Sequence, residues 1–472
     1  MFNTKQKKTA ASIISVFCAI IVFFSSVTIY KTGLIRGIDE EIDAQKDALI
    51  VAAAKAKTVE GIFIDRNGVE ITSYSPAGQA AYVNFPESFS HLIGYNSSRL
   101  GLYGLRKKFS KYLFDDKKDN VGATVQLTIN APLQEKLYNL LDGSVGSISI
   151  VNATTGEIIA MTSRGDSDVD YNLNLIDAVY STDDNEKPIF YSDIYAKIDE
   201  FYLNRAILAN DPPGSCIKAV TAASLIENDM KDLVYFDTGC FLNEIYNSER
   251  IDYGNCDLKM GLNNSVNTYF ANAGVVLGAE KLKRTFLNFM IGETISLDFG
   301  NLSSTFSSSD DASDLSIASN AYGQGEVIMT PLHIAMMMGA IINEDGKMMK
   351  PYVIDNITNN DRIEYQSSQE LISNAIDKDS RAVLTELLNS NAIKYNLYKP
   401  FNKDDLFIIA KTGTAQVADP TKGKYHVYYS IGVEYNGNCY GICVDRDNTN
   451  STSSVLENIA IETVKALVNA NI

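Results

Sequence analysis

The 472-residue sequence has no tryptophan, only three histidines, ten prolines and six cysteines. So few prolines, with 30 glycines, exclude a collagen-like or proline-rich fibre, and six cysteines in so long a chain exclude a small disulfide scaffold. His91, His333 and His426 lie in distant segments, so a three-histidine metal site requires the fold to gather all of them. Basic residues are outnumbered 41 to 58, a net charge of −17. A surface this acidic repels phosphate backbones and argues against a nucleic-acid partner. What remains is ordinary globular material, 45% hydrophobic and 21% charged, with length for about three domains or segments.

The N-terminus sets an expected compartment. Thr9 to Tyr30 is a run of 22 uncharged residues, roughly 33 Å as a helix and enough to cross a hydrocarbon core of about 30 Å. Lys5, Lys7 and Lys8 precede it, which places residues 1–8 in the cytoplasm and the bulk of the chain outside. A cleaved signal peptide has a shorter apolar region and a small-x-small site, whereas Tyr30-Lys31-Thr32 follows here. The run therefore reads as a single-pass anchor in the cell membrane. Arg36 to Lys57, rich in helix formers and free of proline, reads as a helical stalk over residues 31–57.

Beyond it, Ile62 to Ile71 carries two apolar runs around Asn67-Gly68, a hairpin signal. The charged run Asp115 to Asn120 marks a boundary between residues 58–120 and 121–472. Strands are expected at Thr124–Ile129, Gly146–Val151, Glu157–Met161, Leu406–Val417, Tyr425–Tyr435 and Cys439–Val444, with helices at Pro132–Leu141 and Val455–Val468. Two strands early and three late, with helices between, predict one antiparallel sheet built from both ends of the segment. Cys240 and Cys256 flank a polar loop and are expected to be linked, by a disulfide or through a shared metal; two buried free thiols are the alternative. Cys439 and Cys443, about 13 Å apart on one strand, cannot bond to each other.

The most informative stretch is Pro212-Pro213-Gly214-Ser215-Cys216-Ile217-Lys218, running straight into a helical pattern. It predicts Ser215 at a helix N-terminus, among unpaired N–H groups, with Lys218 on the same face. A serine hydroxyl needs a base to become a nucleophile, and a lysine serves once burial or a nearby cation lowers its pKa. S-x-x-K alone is common by chance. Ser265-Val266-Asn267 follows 50 residues later and offers a hydroxyl for proton relay and a carboxamide for a peptide group. Lys411-Thr412-Gly413-Thr414 follows 196 residues after Ser215 in an expected strand, where glycine permits close backbone approach and a strand edge can pair with a peptide. The ordered set S-x-x-K, S-x-N, K-T-G is the signature of penicillin-binding proteins and serine β-lactamases.

With these motifs in place the chain resembles the class B penicillin-binding proteins, peptidoglycan D,D-transpeptidases, over nearly its whole length. Tyr322 to Ala335 (YGQGEVIMTPLHIA) is similar to the family's G-Q-G…T-P-L block. Gly61 to Gly68 (GIFIDRNG) is similar to its membrane-proximal segment, with Glu60 where the family has arginine. Cys216 beside the nucleophile is a departure, as is the missing tryptophan after K-T-G, where Tyr428-Tyr429 are the nearest aromatics.

The resemblance implies an α+β fold, a penicillin-binding transpeptidase domain with a central antiparallel sheet flanked by helices, on a small membrane-proximal α+β pedestal behind one transmembrane helix. It implies Ser215, Lys218, Ser265 and Lys411 as catalytic groups and Asn267, Thr412, Gly413 and Thr414 as substrate-binding ones, with neither cofactor nor metal. Stem peptides ending in D-Ala-D-Ala would be the substrate and β-lactams the covalent inhibitors. A SEDS-family glycosyltransferase and other elongation or division proteins would be partners. A β-lactamase or β-lactam sensor, and a non-enzymatic scaffold, are the alternatives.

Overall fold

The computed structural model describes residues 58–74, 81–97, 101–115, 120–165, 202–306, 312–401, 405–416 and 424–472. The expected tail, anchor and stalk, residues 1–57, lie outside them. Among the described residues no helix is long and apolar enough to cross a membrane. The elements that position the site are β1 (Ile62–Ile64), β2 (Thr124–Leu127), α1 (Ala131–Leu140), β3 (Gly146–Asn152), β4 (Ile158–Arg164), α2 (Lys218–Glu227), α3 (Asn267–Leu277) and α4 (Pro331–Ile342). They continue with β5 (Ile354–Asn359), β6 (Arg362–Gln366), α5 (Lys378–Lys394), β7 (Leu406–Gln416), β8 (Tyr425–Tyr435), β9 (Asn438–Thr449) and α6 (Glu457–Ala470).

The central sheet has the order β7-β8-β9-β3-β4 and is antiparallel throughout, as the two-early, three-late pattern predicts. Asn436-Gly437, both at positive φ, make the two-residue turn that joins β8 to β9. Because side chains alternate along a strand, β8 serves two cores. Val427, Tyr429 and Ile431 share one with Leu133 and Leu137 of α1 and Val464 and Leu467 of α6. Tyr428 shares the other with Met336, Met337 and Ile341 of α4. Helix α4 is buried along its whole length, as an apolar-all-round helix must be. Thr330 caps it, its hydroxyl accepting from His333 N–H at 3.3 Å. A Cβ on Gly441 would lie 2.0 Å from the Ala335 carbonyl oxygen, so α4 and β9 touch backbone to backbone.

A second sheet, β1-β2-β5-β6, draws its strands from residues on both sides of position 120. β1 runs parallel to β2, Ile62 opposite Thr124, and only a single bridge, Ile64 to Glu70, closes the expected Ile62–Ile71 hairpin. The reason is Asp65. Its carboxylate accepts from Asn67 N–H (2.7 Å), Val69 N–H (2.9 Å) and Ala131 N–H (3.1 Å), so it builds the turn and ties it to the start of α1. Glu60, fully buried, meets Arg106 at 3.1 Å and accepts from the Asn96 amide at 2.6 Å. The acid at the family's arginine position thus has its cation supplied from a different segment.

Removing one partner of a buried ion pair strands the other charge. Glu60→Ala is expected to lower unfolding stability by about 3–5 kcal/mol, measured by urea denaturation. A loss below about 1 kcal/mol, the range of surface pairs, would show that the pair is solvated.

Candidate active site

The S-x-x-K segment does not begin as an α-helix. Gly214–Ile217 forms one 3₁₀ turn, and α2 starts at Lys218, whose N–H closes back onto the Ser215 carbonyl. Gly214 sits at φ +53°, a left-handed backbone that cannot lead an α-turn, so the chain enters the helix through the tighter one. Ser215 is half-buried on this turn, and Cys216 and Lys218 behind it are completely buried.

Glycines press the turn against two other motifs. A Cβ on Gly323, in the G-Q-G block, would lie 1.7 Å from the Gly214 carbonyl oxygen. A Cβ on Gly413 would lie 2.6 Å from the Pro213 oxygen and 2.8 Å from the Cys216 sulfur. A Cβ on Gly214 itself would lie 2.9 Å from the Thr414 backbone nitrogen. The K-T-G strand β7 therefore runs in backbone contact with the serine turn. It is also an end strand, paired on one side with β8 and with no strand beyond it among the described residues. Asn389, Asn391 and Tyr398 cover its Ile408–Ala410 stretch, so a peptide can pair only along the K-T-G end.

The polar centre is a buried two-lysine bridge. Lys218 Nζ donates to the Ser265 carbonyl oxygen at 2.7 Å and to Asn267 Oδ1 at 2.6 Å, and lies 3.2 Å from Ser265 Oγ. Lys411 Nζ lies 3.0 Å from the same hydroxyl and donates to the Thr412 oxygen at 3.1 Å. Ser265 holds φ +55°, unusual for a residue with a side chain, and this turns both its carbonyl and its hydroxyl toward Lys218. Burial, and then the Lys411 charge, hold Lys218 well below the ordinary lysine pKa. Burial also pulls Lys411 down, to about 8. A neutral Lys218 donates two hydrogens to the two carbonyl oxygens and keeps a lone pair to accept a proton.

The structure thus brings Lys218, Ser265, Asn267 and Lys411 into one hydrogen-bonded group and sets Ser215 and Gly413 in the adjoining turn and strand. Thr412 Oγ1 lies 3.3 Å from the Tyr395 hydroxyl, and Thr414 Oγ1 accepts from Ser453 N–H at 3.3 Å. Several contributors have no local signature in the sequence. The Tyr246 carbonyl accepts from the Asn267 amide at 2.8 Å, Ser430 Oγ donates to the Lys411 carbonyl at 2.6 Å, and the Phe270 ring lies 5.7 Å from Lys218 Nζ. Cys216 fills the space between turn and strand, its sulfur 3.7 Å from the Lys411 carbonyl oxygen. Burial pushes its thiol up to about 11, so it stays protonated.

The expected link between Cys240 and Cys256 is corrected. Both thiols are free, because the segment folds into two separate ribbons. Cys240 stands opposite Tyr246 in one and Cys256 opposite Tyr235 in the other. Among the described residues neither belongs to a cluster of metal-ligating groups.

Residues 146–463 match the family described as penicillin binding protein transpeptidase domain. Penicillin-binding protein 3 of Bacillus subtilis (strain 168) is 24% identical over 386 residues, 71% of this chain and 54% of the relative. The peptidoglycan D,D-transpeptidase PbpA of Mycolicibacterium smegmatis is 26% identical over 333 residues, 67% of this chain and 64% of the relative. The chain therefore spans less than two thirds of the length of these relatives. The structure of penicillin-binding protein A from M. tuberculosis, a ceftriaxone acyl-enzyme complex, superposes with a TM-score of 0.74 at 20% identity, covering 87% of this chain and 99% of that one. The shared architecture is the penicillin-binding transpeptidase fold, a sheet flanked by helices.

The two lysines are expected to titrate apart. In ¹⁵N-lysine spectra Lys218 Nζ should lose its proton well below the ordinary lysine range, and Lys411 should change charge near its depressed value of about 8. Two amines that both stay charged to the ordinary value of about 10.4 would show that the pocket is wet.

Proposed function

This chain belongs to the class B penicillin-binding proteins, within the penicillin-binding protein transpeptidase family, and on that footing we propose that it is a serine-type peptidoglycan D,D-transpeptidase. One observation carries the reading: a single hydroxyl, Ser265 Oγ, is shared by two buried lysines, one on the helix that follows Ser215 and one on the end strand.

In this reading the terminal D-Ala-D-Ala of a stem peptide lies along the K-T-G end of β7. Ser215 Oγ attacks the penultimate D-Ala carbonyl carbon while Lys218 takes the hydroxyl proton. The oxyanion is met by the Ser215 and Thr414 N–H groups, supported by the approach of the Thr414 nitrogen to the serine turn. The C–N bond then breaks, and the proton held by Lys218 passes through Ser265 Oγ, which Lys411 steadies from the other side, to the leaving D-Ala amine, so Lys218 is neutral again. Asn267 holds the substrate amide, and Thr412 and Thr414 hold the carboxylate. An amine of a neighbouring stem attacks the ester, Lys218 takes its proton, and as the acyl C–O bond breaks that proton is returned to Ser215 Oγ, leaving both Ser215 and Lys218 as they began. β-Lactams enter the same sequence and stop at the ester. No carboxylate hydrogen-bonds to Lys218, Ser265, Asn267 or Lys411 among the described residues, so the group lacks an acid-derived base to drive water at the ester.

The proposal includes residues 9–30 as a membrane anchor with residues 1–8 in the cytoplasm, 31–57 as a stalk, 58–120 as a pedestal whose β1 is built into a sheet with β2, β5 and β6, and 121–472 as the extracytoplasmic catalytic unit. The charge-free run behind three lysines and the acidic remainder support it. A SEDS-family glycosyltransferase, supplying the glycan strand, is the proposed partner, as the family resemblance implies.

Labelled penicillin is expected to add one covalent label to the peptide containing Ser215, read by mass spectrometry, and Ser215→Ala should abolish it. A label on any other residue would overturn the assignment. Lys218→Ala should stay folded and acylate about 10²–10⁴-fold more slowly in stopped-flow. A rate within about tenfold of the parent would identify a different base.

A further inference from the structure

Behind the serine turn lies a second polar group that the mechanism above does not use. His426 stands on β8 opposite Ala415, one position beyond the Thr414–Val427 pair. Its Nε2 is 3.3 Å from Asp211 Oδ1, and its Nδ1 is 3.1 Å from Asp447 Oδ1 on β9. The imidazole is 90% buried, and the carboxylates are 27% and 14% exposed. Asp211 immediately precedes Pro212-Pro213-Gly214-Ser215. Its backbone is fixed as well, bridged in both directions to Met329 of the T-P-L block.

The charge around the ring closes only if the ring is cationic. Asp211 faces it from the serine turn and Asp447 from β9. Arg205, on the short helix Arg205–Leu208, lies 3.7 Å from the other oxygen of Asp447. Asp445, buried on β9 and bonded to Ser147, has its pKa raised by burial and then by Asp447. Tyr428, on the same strand as His426, stays protonated, through burial first and then Asp211, Asp445 and Asp447. Burial raises the Asp211 pKa and the His426 charge opposes that rise. With both carboxylates ionised, the two against Arg205 leave one negative charge, which an imidazolium cancels. The donor set is one that metals also use, but here a carboxylate engages each ring nitrogen. Burial pulls the His426 pKa down, yet the hydrogen bond to Asp447 and the two carboxylate charges outweigh it and hold it above 6.5. A raised value means that the ion pairs are complete below about 6.5 and are lost as pH rises through the native pKa.

We propose that His426 is a positioning residue: a protonated staple that ties Asp211 to β8 and β9 and so fixes the turn carrying Ser215 against the K-T-G strand. The proposal rests on the transpeptidase reading for its effect on rate, and on geometry alone for the staple. Pro212 and Pro213 make the link between Asp211 and Gly214 stiff, so a shift at Asp211 is passed on to Ser215 instead of being absorbed.

Two measurements on the full chain test it. The protein has three histidines, and burial first holds His91 and His333 at about 4. In ¹³C-histidine spectra one ring alone should therefore titrate between pH 5 and 9, with a midpoint above 6.5. That midpoint should fall in Asp211→Asn, an isosteric change that keeps the turn's size. Secondly, Asp211→Asn and His426→Gln should each slow acylation by labelled penicillin about tenfold to a hundredfold, with little change in the binding that precedes it. The double variant should be no slower than the worse single one. A His426 midpoint at or below 6.5, or variants that lose melting temperature but acylate at the parental rate, would overturn the proposal. A parent protein that takes no label at all would instead overturn the transpeptidase reading, while the titration still judges the staple.

Discussion

Two amines compete for one proton in a pocket that water does not reach, and the rest of the catalytic unit is arranged around that constraint. Lys218 and Lys411 both touch Ser265 Oγ, so their nitrogens are no more than about 6 Å apart. Two charges at that distance repel by roughly 3 kcal/mol at an effective dielectric of about 20, equivalent to about two pKa units. Burial adds to this on both. Burial and the Lys411 charge hold the inner lysine well below its ordinary value, despite the carbonyl oxygens that would favour a charged amine, and the outer one is pulled down to about 8. A hydroxyl between a base and an acid is then a proton wire with a direction.

Holding such a pair dry requires that three chain segments meet without gaps. The left-handed Ser265 brings one, the short 3₁₀ turn at Gly214 brings the second, and the end strand of the sheet brings the third. The sheet supplies the rigidity. Its β8 strand is covered on both faces, by α1 and α6 on one and α4 on the other, and α4 lies on β9 at backbone distance. Lys411 and His426 are thus mounted on a platform, and the serine turn is pinned to it at Gly413 in front and at Asp211 behind.

How much of this could be read beforehand divides along the range of the interactions. β8 ran over Tyr425–Tyr435 as expected, and the ends of α1 and β3 fell within a residue, because alternation and a proline at the helix start are local signals. The three motifs gathered as anticipated because each carries its own chemistry in three or four letters. The 3₁₀ entry to α2 was not legible, since it depends on Gly214 fitting under Thr414, two hundred residues away. The cysteine link failed for a similar reason: spacing measures loop length, whereas the two ribbons that separate Cys240 from Cys256 are set by pairing with Tyr246 and Tyr235. Arg106 as partner of Glu60, and Asp447 as partner of His426, lie in segments with no motif at all.

The glycine contact between the serine turn and its two neighbours also shapes how this site can change over generations. At Gly214 and Gly323 the meeting surfaces are main chain, at Gly413 they include the Cys216 sulfur, and a Cβ at any of the three strikes an atom closer than 3 Å. Side-chain variation near Ser215 has more room at half-buried neighbours such as Thr412 and Tyr395, whose hydroxyls lie 3.3 Å apart. The hub around Ser215 leaves no space for an added Cβ, and side-chain change has more room at its margin.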